Sequence, residues 1–86
     1  MNLIALENCV KEAKESNAKY LAVLVNMEGF LKPEIIINSE ENFDAKLAYY
    51  KKAYTEDLVL RTFSGIRIVG FTYGNDFSEI ESALMF

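Results

Sequence analysis

The stretch Lys19–Met27 constrains the fold most, because it reads as a β-strand that is apolar on both faces. Leu21, Val23, Val25 and Met27 form one face; Tyr20, Ala22, Leu24 and Asn26 form the other. A strand of this kind is central in its sheet and covered twice, so the chain must supply layers above and below it. The chain has 86 residues to do so, which is one domain, residues 1–86.

Those layers are predicted to be helices. Leu3, Leu6, Val10 and Ala13 share one helical face, Cys9 flanks it, and Asn2 stands where an N-cap belongs. Ser16 and Asn17 are poor interior residues and end this first helix. Glu28–Pro33 contains Gly29 and the only proline and reads as a hairpin loop, returning as the strand Glu34–Asn38. A second helix is expected from about Asn42 to Tyr54, with Asn42 as cap and Phe43, Leu47, Tyr50 and Tyr54 as its core stripe. Leu58–Thr62 is a candidate short strand. Ile66–Tyr73 is a firmer one, ended by Gly74–Asn75. Asp76, with Glu79 three residues on, opens a last helix whose stripe is Phe77, Ile80 and Leu84.

The predicted class is α+β: a small three- to four-stranded mixed or antiparallel sheet with helices, in the order α-β-β-α-(β)-β-α. Strands lie about 4.8 Å apart and helices pack about 8–10 Å apart, so such a sheet accommodates about two helices per face. The third helix must cover the other face, sit at an end, or pack on a partner. Counted by simple alternation, Ile66, Ile68, Gly70 and Thr72 point one way, and Arg67, Val69, Phe71 and Tyr73 the other. Gly70 inside a strand marks a bulge or a close backbone approach. Mapped this way, the apolar supply exceeds what three helices and a narrow sheet bury, which predicts a self-associating surface.

Function classes are excluded by what is missing. With no His and a single Cys, His–metal sites, His-base mechanisms, cysteine clusters and internal disulfides are all absent. Cys9 has Glu12 and Glu7 nearby in the helix, and acidic surroundings raise a thiol pKa, so it reads as a packing residue. Glu40, Glu41 and Asp44 crowd the start of the second helix; their spacing fits no EF-hand, and acids there complement the helix dipole. No metal or cofactor is predicted. Gly65, Gly70 and Gly74 do not form a phosphate loop, which needs a following Lys. No apolar run approaches the roughly 20 residues of a membrane span. Met1–Ala5 lacks the basic start of a signal peptide, so a cytoplasmic location is expected.

Two binding readings remain. The formal charge is −4, against a dedicated phosphate-backbone binder. Residues 43–67 are nonetheless the only basic third, at +2 from five basic and three acidic side chains. There Lys46, Lys51, Lys52, Arg61 and Arg67, with tyrosines between them, could contact nucleic acid. The favoured reading is a non-catalytic protein-interaction module that forms a homodimer or binds another protein. Its contact candidates are Phe30 and Leu31 at the hairpin tip, Tyr49 on the second helix, and Phe71 and Tyr73 on the last strand.

Overall fold

The double-faced apolar strand takes the place its composition demands. In a computed structural model, which describes residues 1–84, it is β1 (Tyr20–Met27). It lies between β2 (Glu34–Ser39) and β3 (Ile66–Gly74), in the order β2-β1-β3. Both pairings are antiparallel. The helices are α1 (Leu3–Glu15), α2 (Phe43–Ala53) and α3 (Phe77–Leu84), giving α-β-β-α-β-α.

Local chemistry sets the boundaries. The Asn2 side-chain oxygen accepts the Ala5 N–H at 2.9 Å, satisfying one of the orphan donors of α1. Asn17 follows in the left-handed region at φ 55, and the Ala18 N–H donates to the Ala13 carbonyl. Asparagine tolerates this helix-ending conformation better than most residues. Asp76 likewise accepts the Glu79 N–H at 2.8 Å and caps α3. Asn42 departs from expectation. A single 3-10 turn, Glu40–Asn42, already curls the chain before α2, and the Asn42 side chain makes no cap bond to the helix. Its amide donates instead to the Ser39 hydroxyl at 3.5 Å.

The helices divide between the two faces. Leu21, Val23, Val25 and Met27 meet α1 and α2 through Leu6, Val10, Ala13, Phe43 and Tyr50. Each Leu-, Val- or Ile-sized side chain buried there contributes about 1.5–3 kcal/mol. Two surface ion pairs link the helices, Lys14 to Asp44 at 2.7 Å and Lys51 to Glu7 at 3.1 Å. On the opposite face α3 packs on β3 and buries its own Ile80, and Leu24 of β1 lines one hollow with Ala83 and Leu84. Gly74 permits this approach: a Cβ there would stand 2.8 Å from Glu79 Oε1 and 3.2 Å from Ile80 Cγ1.

Two expectations about the last third change. Leu58–Thr62 is not a strand; it makes isolated bridges only, Tyr54 with Leu60 and Val59 with Arg67. Fully buried Leu58 sits at φ 64, which breaks the extended run at its first residue. The alternation counted along β3 also fails midway. The register shifts between Leu24 and Val25 of β1, whose partners are Gly70 and Ile68. Val69 is the extra residue of a β-bulge, and one extra residue reverses which face the following side chains occupy. Ile68, Phe71 and Tyr73 therefore share the face of α1 and α2, while Gly70 and Thr72 look toward α3.

Candidate functional site

The bulge divides β3 into two halves with different outer edges. Over Ile66–Ile68 the edge is covered: the Leu60 N–H donates to the Ile66 carbonyl and the Ile68 N–H to the Leu58 carbonyl, each at 2.9 Å. Beyond the bulge, Val69–Gly74 has no backbone partner on its outer side among the described residues. In an antiparallel pair, backbone groups point alternately toward and away from the neighbour. Ile66 and Ile68 point theirs outward. Val23 and Val25 are two apart on a regular strand and share one backbone orientation. Phe71, opposite Val23, therefore matches Ile68, opposite Val25. The Phe71 and Tyr73 N–H and C=O groups thus face out of the sheet. The Tyr73 carbonyl receives only a long contact from the Thr72 hydroxyl, 3.5 Å.

Hollows flank this free edge on both sides, one of mixed polarity and one apolar. A shallow hollow between α1 and the edge is lined by Ala5, Asn8, Cys9 and Glu12 together with Phe71, Thr72 and Tyr73. A second hollow, on the α3 side, joins Val69, Gly70 and Phe71 to Met1, Leu24, Ala83 and Leu84. Phe71 belongs to both, so one strip wraps the edge. Met1 and Ile4 are about 70% exposed, and Val69 is 38% exposed. From Ile68 to Asn75 the chain carries no charge.

The sequence candidates fall in three separate places. Phe30 and Leu31 project fully from the β1–β2 loop. Tyr49 is half exposed on the outer side of α2, its ring packed against Tyr50 and Tyr54. Phe71 and Tyr73 lie on the free edge, half-buried, with rings turned inward against the core and backbones turned outward. Val69 was missed, and no signal pointed to it, since its exposure follows from the bulge. Ile4, also exposed, lies apart from the edge in a hollow with Glu56 and Asp57.

The five cations occupy different settings. Lys46 Nζ lies 4.9 Å from the Tyr49 ring centroid and 5.2 Å from that of Tyr50. Lys51 pairs with Glu7. Arg67 lines a hollow that also contains Asp57. Lys52 and Arg61 are exposed and form no ion pair among the described residues. In the acidic α2 start, the Glu41 carboxyl is held below its ordinary value by its own backbone N–H and by the Ser39 hydroxyl. No group of three or more metal-ligating side chains forms among the described residues.

Burial, reinforced by Glu12, pushes the Cys9 thiol up to about 11, so it is protonated at neutral pH and a weak nucleophile. Tyr50 is pushed up to about 12 by burial first and by Tyr54 and Tyr49 next; its hydroxyl has no hydrogen-bond partner among the described residues. No family model, curated protein or solved structure matches this chain.

Proposed function

We propose that this protein is a non-catalytic protein-interaction module that homo-oligomerises. The observation that carries the reading is the Val69–Gly74 edge: six residues with no proline and no charge, outward groups without a backbone partner among the described residues, and a hollow on each flank, the one toward α3 apolar. An edge of this kind is a template for strand pairing. Proteins normally blunt such edges with charge, proline or a covering segment, and the chain uses a covering segment over only the first half of β3. The lack of His and the protonated Cys9 thiol support a role without covalent chemistry. A buried, unpaired Cys9 suits a reducing cytoplasm. No helix among the described residues is long and apolar enough to cross a membrane.

Sedimentation equilibrium over the micromolar range tests the reading. The expected result is an average mass that rises with concentration toward that of a dimer. A mass that stays at the monomer value up to high micromolar concentration overturns self-association.

A further inference from the structure

Resting on that reading, we propose that the occupant of the free edge is a second copy of this chain, paired antiparallel through Val69–Gly74 about a twofold axis at Thr72. The two three-stranded sheets then become one continuous six-stranded sheet.

Hydrogen-bond accounting selects this arrangement. Directly opposed residues of an antiparallel pair lie on the same face, so a twofold axis perpendicular to the sheet must pass through a residue and not between two. With the axis at Thr72, Phe71 of each copy stands opposite Tyr73 of the other. Both residues direct their N–H and C=O outward, so each pair exchanges two backbone hydrogen bonds. The four outward groups of each copy, which have no backbone partner among the described residues, are thereby all satisfied.

Side chains fit the same register. On the α1 face Phe71 meets Tyr73 twice, an aromatic cross-strand pair. On the α3 face Gly70 meets Gly74, which leaves room where two α3 helices approach each other. The side of α1 that faces the edge carries the small residues Ala5 and Cys9 together with Asn8 and Glu12. The two copies of α1 run antiparallel about the axis.

Charge supports a copy of the same chain and fixes its direction. The neutral segment Ile68–Asn75 is bounded by Arg67 and Asp76, one charge of each sign. Arg67 makes no ion pair among the described residues. Antiparallel self-pairing brings Arg67 of each copy to the strand end where Asp76 of the other stands. A parallel alignment would set Arg67 on Arg67 and Asp76 on Asp76.

Cysteine crosslinking tests the register. Opposed residues at a non-hydrogen-bonded position lie about 4.5 Å apart between Cα atoms, within the range a disulfide spans. In the full chain carrying Cys9→Ala, Thr72→Cys is expected to form a disulfide-linked dimer nearly to completion under mild oxidation. Leu31→Cys in the same background, though fully exposed, should crosslink far more slowly. Val69→Lys, at a partly exposed position, is expected to weaken dimerisation about tenfold or more while the circular dichroism spectrum stays unchanged.

A dimer by sedimentation whose Thr72→Cys variant does not crosslink, or whose affinity ignores Val69→Lys, overturns this interface and leaves self-association standing. A monomer in sedimentation overturns both. Crosslinking at Thr72 no faster than at Leu31 overturns the register.

Discussion

The two edges of the sheet are built from equally apolar strands and treated differently. β2 is six residues long, follows Lys32-Pro33, starts at Glu34 and runs directly into Glu40 and Glu41. Charge and proline bracket it closely. β3 is nine residues long and has its protection in one place only, the Leu58–Leu60 segment lying along its first half. Past Val69 no segment among the described residues replaces that cover. The difference teaches that an edge can be closed by composition, as at β2, or by a tertiary contact, as at Ile66–Ile68. Where both devices stop together, the fold presents an opening about six residues long.

The comparison breaks most severely at Leu58. This residue is fully buried and anchors the segment that covers the first half of β3. Leu58→Ala is expected to cost about 3 kcal/mol, the usual size of a buried leucine cavity. Alanine inherits the positive φ, so no strain is relieved. Urea unfolding measures the loss. A change under about 1 kcal/mol would mean that the cover is not held by this side chain.

Alkaline pH probes how well the core behind the open edge is sealed. Cys9 lines the hollow beside Phe71 and Tyr73, with its thiol raised to about 11; Tyr50, deeper, is raised to about 12. Both groups hold their protons more tightly folded than unfolded. Their contribution is fully present below the unfolded value of Cys, about 8.5, and is lost as pH rises through 9 to 12. The urea midpoint should stay level from neutral pH to pH 8 and fall by pH 11. A level midpoint throughout would place both groups in water.

Asp76→Ala addresses the roof on the far side of the edge. Losing the cap on α3 is expected to cost about 1 kcal/mol, read as a lowered thermal midpoint. Asp76→Asn should recover most of it, because asparagine also accepts the Glu79 N–H. The smallest effect is expected at the hairpin tip. Phe30→Ser with Leu31→Ser should change stability by less than about 0.5 kcal/mol and leave the dimer constant unchanged. A weakened dimer there would move the interface from β3 to the loop.

Much of this fold was legible in the sequence because it depends on local pattern. The capping roles of Asn2 and Asp76, the stripe of α1 and the central place of β1 all follow from side chains within a few residues of each other. The arithmetic of strand and helix widths left the third helix three places, the second face, an end or a partner, and α3 takes the first. What could not be read depends on contacts distant in the chain. Counting by twos sent Phe71 and Tyr73 to the face opposite Ile68, because the bulge at Val69 exists only against Leu24 and Val25 of β1. Leu58–Thr62 has strand composition, but the left-handed turn at Leu58 is held by core packing. Asn42 has cap chemistry and is bypassed by a 3-10 turn. Phe71 and Tyr73 stand as contact candidates for a different reason than alternation gave: their backbones, not their rings, face outward.

Amide hydrogen exchange as a function of protein concentration compares the two edges within one sample. By the same alternation, the outward amides of β2 are those of Ile35 and Ile37, and those of β3 are Phe71 and Tyr73. The expected result is that exchange at Phe71 and Tyr73 slows as concentration rises through the dimerisation range, while exchange at Ile35 and Ile37 does not change. Slowing at Ile35 and Ile37 alone, or at none of the four while the protein sediments as a dimer, would contradict an interface at the free edge of β3.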